Sequence, residues 1–298
     1  MRALPLVLTL LTGCAASTPA LATAERTAAV AEPRVEARET FRVEVVGQGP
    51  DVVLVPGLTC GGHVWDATVE HLRGDHTVHV LTLAGFAGTP SSDGDTFLPR
   101  VRDELAAYVR ELDRPVLIGH SLGGFMAFWL SATEPGALEG AIAVDGLPAL
   151  GALSGHDAEA VAAFAAQMKQ QMAAQSQSAF ADQTAQTLLA QISSPDEAAR
   201  VAEVSGRSDP AVVGQAMAEL LTTDLRSEMH AIPSRMLLLG AGAGTPPQVE
   251  ERTRQYRAQV ETIPHHELVM VPGTRHFVML DAPEAFVQHV DRFLEEVQ

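Results

Sequence analysis

The chain has 298 residues, 46% of them hydrophobic, and a formal net charge of -17. That length suits one large α/β domain or two ordinary ones, with apolar residues enough for a sizeable core. The acidic balance argues against a nucleic-acid partner, because neutralising phosphates takes basic patches. It also argues against adsorption to an anionic membrane through charge alone.

The first residues read as an export segment. "MRALPLVLTLLTGC" has one basic residue, Arg2, then an apolar run from Ala3 to Leu11, too short to span a bilayer. Two processing readings compete. "LTGC", Leu11 to Cys14, resembles the lipobox of bacterial lipoproteins, which implies membrane anchoring through a lipid on Cys14. "ALA", Ala20 to Ala22, fits an ordinary signal-peptidase site. The lipobox is favoured because the cysteine closes the apolar run directly. Either way the mature protein is expected outside the cytoplasm, in the periplasm or anchored to a bacterial membrane. With Cys14 lipidated or removed, Cys60 has no partner, so no disulfide is expected. Residues 1–22 are thus assigned to the signal and the start of a tether, and residues 23–40 to a flexible linker without an apolar period.

The folded part is expected to start near Phe41. "FRVEVVGQG" and "DVVLVPG" read as strands, "WDATVEHLRG" as a helix, and "HTVHVLTLAG" as a strand. "FLPRVRDELAAYVRELD" is an amphipathic helix, "PVLIG" a buried strand, "LGGFMAFWLSATEP" a buried helix and "GAIAVDG" a strand. Strands alternating with helices imply a mostly parallel, doubly wound sheet. The alternation stops over residues 147–227, where every segment has helical spacing and Ser194-Pro195-Asp196-Glu197 supplies an N-cap signal. This is read as an all-helical insertion between a first core part, 41–146, and a second, 228–298. In the second part "SRMLLLG" and "HELVMVPG" resume strands, and "PEAFVQHVDRFLEEV" closes the chain as a helix.

The chemistry concentrates at "GHSLG", Gly119 to Gly123. This is G-x-S-x-G between a strand and a helix, a pattern that puts a serine on a sharp turn with its oxygen above the sheet. The helix that follows aims free N–H groups at a developing oxyanion. Ser121 is the candidate nucleophile, and a serine hydroxyl needs a base. His276, in "PGTRHFVMLDAPEAF", follows the last strand and precedes the last helix, late in the chain as the order serine, acid, histidine requires.

Together "VLVPG", "LAGFAGTP", "GHSLGG" and "GTRHFVMLDAPEAF" resemble the α/β-hydrolase family, from about Phe41 to the C-terminus. The resemblance implies an eight-stranded sheet with helices on both faces, an all-helical cap inserted after strand 6, and a Ser-His-acid triad. It also implies an oxyanion hole built from the backbone N–H groups of Leu122 and Leu58, although Pro56-Gly57 stands where many relatives carry His-Gly.

The acid departs from the family's usual place. "SRMLLLG" runs into "AGAGTPP" without a carboxylate. Asp145, at the end of "GAIAVDG", lies at the same sheet edge as Ser121, and some relatives use that position. Glu250 and Glu251 fall on a predicted helix, Asp224 is read as a tie from cap to sheet, and Asp281 as a cap of the last helix. Asp145 is therefore the expected acid.

Other chemistries fit less well. "GAGAG", Gly240 to Gly244, has the wrong spacing and the wrong strand for a dinucleotide fingerprint. His71, His76 and His79 complete no metal-ligand set and are read as solvated surface residues. No cofactor or metal is expected. Cys60 and His63 either face the pocket or fill the loop. Met168, Met172, Met217 and Met229 suggest a pliable apolar pocket under the cap. The expected function is that of a serine esterase on a small-molecule ester of small to medium apolar size. The alternatives are a hydrolase of another acyl or carbon–carbon bond, and a non-enzymatic binding lipoprotein on the same scaffold.

Overall fold

A computed structural model describes residues 33–298. The export segment, Cys14 included, lies outside the described residues. One sheet of eight strands organises the rest, in the order β1-β2-β4-β3-β5-β6-β7-β8. The strands are β1 (Arg34–Ala37), β2 (Phe41–Gly47), β3 (Asp51–Val55), β4 (Thr77–Leu83), β5 (Val116–His120), β6 (Gly140–Val144), β7 (Arg235–Gly242) and β8 (His266–Pro272). Pairing is antiparallel from β1 to β2 and from β2 to β4, and parallel across the remaining six strands.

β1 corrects the C-terminal end of the expected 23–40 linker, at Arg34–Ala37, while residues 23–32 lie outside the described residues. Arg34 to Ala37 has one half-buried residue among exposed ones, so it carries no apolar signal of its own. Its order comes from backbone pairing to β2, from Arg34 opposite Val45 to Ala37 opposite Arg42. An edge strand needs only one bonded neighbour, and sequence periodicity does not report that.

The central strands read differently because both their faces are covered. β5 and β6 are buried at every position. Among the described residues ten α-helices accompany the sheet. α1 (Asp66–Leu72), α2 (Leu98–Val109) and α3 (Leu122–Thr133) join the first strands. α4 (Ala158–Ala173), α5 (Gln177–Gln191), α6 (Pro195–Ser205) and α7 (Pro210–Thr222) all fall between β6 and β7. α8 (Pro246–Val260), α9 (Val278–Asp281) and α10 (Pro283–Val297) complete the chain. The core splits into two clusters, one on each face of the sheet, centred on Phe125 and Leu117 and on Trp65 and Phe286.

α3 shows what kind of helix the centre demands. Ten of its residues, Leu122 to Ser131, are buried, so it is apolar all round rather than amphipathic. The helices between β6 and β7 begin where side chains cap them. Asp157 accepts from Ala160 N–H, Ser176 from Ala179, Ser194 from Glu197 and Asp209 from Ala211. Each such cap contributes about 1 kcal/mol, which is why these polar residues mark the boundaries so well.

Candidate active site

Ser121 stands between β5 and α3 with φ of 53° and ψ of -112°. A non-glycine residue there costs on the order of 1–3 kcal/mol, stored only where the surroundings impose it. The neighbouring glycines allow that imposition. A Cβ on Gly119 would sit 2.0 Å from Gly123 O, and one on Gly123 would sit 2.1 Å from Val55 O. The turn is thus pressed against its own helix and against the end of β3, where no side chain fits. Ser121 N–H donates to Val144 O of the adjacent β6 at 2.8 Å.

Asp145 follows directly after β6 and is also left-handed, with φ of 49°. Its N–H donates to Leu239 O at 2.7 Å, which fixes it between two strand ends. Its carboxylate is nearly enclosed and collects three donors. His276 Nδ1–H donates to Oδ2 at 2.6 Å, while Ala241 N–H and the Tyr256 hydroxyl each donate to Oδ1 at 2.9 Å. Burial alone would push this carboxyl up. The hydrogen bond and charge of His276, with the Ala241 and Tyr256 donors, outweigh it and hold Asp145 below the usual carboxylate value. Tyr256 is pushed the other way, by burial and by the negative carboxylate it faces.

Ala241 is the penultimate residue of β7, at the start of the acid-free stretch. The backbone N–H there donates to the carboxylate that β6 supplies. Tyr256 comes from α8 and was not singled out as a site residue in the sequence. No motif marks it, because its link to Asp145 spans 111 residues.

His276 is held by its loop. Arg275 N–H donates to Asp281 Oδ2 at 2.6 Å, and the Arg275 guanidinium donates to the carbonyls of Leu189 and Ile192. Asp281 also accepts from the N–H and hydroxyl of Ser193. So Asp281 does not cap the last helix as expected, but ties the His276 loop to the end of α5. Behind the loop, His120 Nε2–H donates to His276 O at 3.1 Å. Burial, and then the neighbouring His276 ring, push the His120 imidazole down to about 3, so it is neutral. Its Nδ1 is buried without a partner.

The oxyanion candidates lie at the same place. Leu122 is the first residue of α3, where the helix leaves N–H groups unpaired. Leu58 follows β3, lines the cavity beside Ser121, and donates no backbone hydrogen bond among the described residues. Ser208, between α6 and α7, donates its hydroxyl to Thr59 O and accepts from Ala87 N–H, tying this loop to the helical insertion.

Ser121, His276 and Leu58 line a cavity of about 280 Å³ roofed by α4, α5 and α7. Met168, Met172 and Met217 line it as expected, but four glutamines do so too, and Met229 is core instead. Cys60 and His63 do not line this cavity. Cys60 is fully buried, and burial pushes its thiol up to about 11. His79 is also not a surface residue. It is buried between the Tyr108 hydroxyl at 2.6 Å and Asp51 at 2.9 Å. Asp224 pairs locally with Arg226, and Glu250 and Glu251 with Arg254. Among the described residues no group of three or more His, Cys, Asp or Glu is arranged to hold a metal ion.

This is the architecture of a hydrolase-type α/β fold, with a serine, a histidine and a carboxylate converging above the ends of parallel strands. The Alpha/beta hydrolase family profile matches residues 52–289, and the chain belongs to that family. A pimeloyl-[acyl-carrier protein] methyl ester esterase of Aeromonas salmonicida is 35% identical over 107 residues, 36% of this chain and 41% of that protein. The match thus spans about two fifths of that relative's length. An enzyme of the same name from Nitrosospira multiformis is 25% identical over 268 residues, 84% of this chain and 97% of its own. Among solved structures, a thermophilic esterase from Thermogutta terrifontis superposes with a TM-score of 0.70 at 21% identity, covering 90% of this chain and 99% of its own.

Proposed function

We propose that the protein is a serine hydrolase that cleaves carboxylic esters through an acyl-enzyme on Ser121. The observation that carries this reading is the 2.6 Å hydrogen bond from His276 to the Asp145 carboxylate, on a histidine that lines one cavity with Ser121. The relatives named as esterases support the bond type. Asp145 fixes the tautomer of His276, which leaves Nε2 bare to take a proton.

Ser121 Oγ attacks the ester carbonyl and its proton passes to His276 Nε2. The tetrahedral oxyanion lies against the N–H groups of Leu122 and Leu58, each lowering the barrier by on the order of 3 kcal/mol. Collapse breaks the acyl–oxygen bond, and the alcohol leaves with the proton from His276. Water then attacks the acyl-enzyme, gives one proton to His276, and releases the acid as Ser121 Oγ recovers that proton. The substrate is read as a small to medium ester with an apolar acyl part. Export, with lipid on Cys14, rests on residues 1–22 and belongs to the same proposal.

The test is hydrolysis of p-nitrophenyl esters of increasing chain length by the protein and by Ser121→Ala. The expected result is turnover that disappears in the variant, with a fluorophosphonate label found on Ser121. A folded protein that hydrolyses no ester and takes no label would mean a binding protein on this scaffold. A labelled protein without ester turnover would point to another acyl or carbon–carbon bond.

A further inference from the structure

Left-handed backbone at residues other than glycine is uncommon, and in this protein most of it surrounds Ser121. Among the described residues five such positions have positive φ: Thr59, Ala87, Arg114, Ser121 and Asp145. Arg114 lies in an exposed turn. Ser121 and Asp145 belong to the triad. The remaining two, Thr59 and Ala87, are bonded to one side chain, that of Ser208.

Thr59 is the more strained of the pair. Cys60 N–H donates to Gly57 O at 3.1 Å, which closes a four-residue turn from Gly57 to Cys60. Thr59 is the third residue of that turn and has φ of 67°, where a turn of this kind takes glycine or asparagine. A β-branched side chain in that conformation persists only where its surroundings impose it. Leu58 is the second residue of the same turn, so the direction of its N–H depends on the turn's shape.

The imposition comes from two sides. At the start of the turn, a Cβ on Gly57 would lie 2.8 Å from His120 Nδ1 and 3.2 Å from Ser121 Cβ, so the backbone there is pressed against the nucleophile. At the other end the helical insertion takes hold. Ser208, between α6 and α7, is fully buried, and its hydroxyl proton is shared between Thr59 O at 2.9 Å and Ser205 O at 2.8 Å. Ser208 Oγ also accepts the N–H of Ala87, whose φ is 50°, at 2.8 Å. The Ser205 hydroxyl donates to Cys60 Sγ at 3.7 Å. The two loops touch as well, since a Cβ on Gly61 would lie 2.9 Å from Ala87 Cβ.

Resting on the ester-hydrolase reading, we propose that Ser208 is a positioning residue for the oxyanion hole: from the helical insertion it holds Thr59 left-handed and so keeps the Leu58 N–H available to the oxyanion on Ser121. Without that tie Thr59 relaxes to negative φ, which rotates the peptide between Leu58 and Thr59 and displaces the donor. The tetrahedral oxyanion uses the donor more than the ground-state carbonyl does, so the loss falls on kcat rather than on KM.

The experiment measures kcat and KM with p-nitrophenyl butyrate for the protein, Ser208→Ala, and Ser208→Ala combined with Thr59→Gly. Inhibition by a trifluoromethyl ketone, whose adduct with Ser121 carries the oxyanion, is measured beside them. Because removing a whole donor costs 10²- to 10³-fold, displacing one in Ser208→Ala is expected to cost about 10- to 100-fold in kcat, with the ketone weakened in step and KM little changed. Adding Thr59→Gly is expected to restore kcat to within about threefold of the unaltered protein, because glycine takes positive φ without a tie. Ser208→Cys keeps the volume and a weaker donor. Its kcat is expected to fall in between, and it replaces Ser208→Ala in the same comparison if that variant does not fold. A folded Ser208 variant with kcat and ketone affinity unchanged overturns the proposal, as does a change in KM alone. A kcat loss that Thr59→Gly does not restore also overturns it, and would mean that Ser208 only packs. If the unaltered protein turns over no ester and Ser121 takes no fluorophosphonate, the ester-hydrolase reading falls and this role falls with it.

Discussion

His276 Nδ1 and Asp145 Oδ2 lie 2.6 Å apart across 131 residues of chain, and the carboxylate comes from the end of β6 rather than β7. The two strands are parallel neighbours, so a carboxylate leaving either one reaches the same histidine. What fits Asp145 for the place is its left-handed backbone, a conformation that aspartate tolerates better than most residues. Asp145→Asn keeps the shape but loses the charge and presents an amide that disfavours the required tautomer. kcat is expected to fall by about 10³ to 10⁴ with KM little changed, measured by steady-state ester hydrolysis.

Tyr256→Phe removes one donor from Asp145 and leaves two, His276 and Ala241 N–H. The expected effect on kcat is smaller, about tenfold. A hydrogen bond to a charged group contributes about 1.5–3 kcal/mol, so urea unfolding should show a loss in that range. A stability change with kcat unaltered would mean that the tyrosine only packs.

The elbow depends on contact between backbones. In Gly123→Ala the new methyl would lie 2.1 Å from Val55 O, which no rotamer relieves. The expected loss is about 2–3 kcal/mol, since α3 must move off β3, and turnover should fall with it because Ser121 shifts. Denaturant melts compared with Gly136→Ala, at a position with open space but with φ of 87°, separate the clash from the backbone conformation.

His120 makes stability fall in acid. Its folded value is lowered to about 3, against about 6.5 in an unfolded chain. Between those limits the unfolded state holds more protons than the native one, so stability rises with pH and is lost as pH falls below 6.5. At pH 5 the loss from this residue is about 2 kcal/mol. His63, lowered to about 4 by burial and then by Arg200, contributes in the same sense. His120→Gln should therefore lose less stability between pH 7 and pH 5 than the unaltered protein, by about that amount. Equal slopes would mean that His120 is already charged or already solvated at neutral pH.

Much of this molecule was legible in the sequence because its signals are local. Strands buried on both faces read as apolar runs, side-chain caps marked the helices between β6 and β7, and Gly119 and Gly123 announced a turn too tight for side chains. Ser121 and His276 sit in such local patterns. Tertiary structure decided what depends on pairing between distant residues. β1 is a strand because β2 offers it hydrogen bonds. Tyr256 and Ala241 matter because they close around Asp145, and His79 is buried because Tyr108 and Asp51 satisfy both ring nitrogens. Asp281 and Ser208 look like surface polar residues, yet they clamp the loops beside Ser121 to the helices above it. A hydrogen bond between chain segments a hundred residues apart leaves no period and no spacing, and only the fold brings its two ends together.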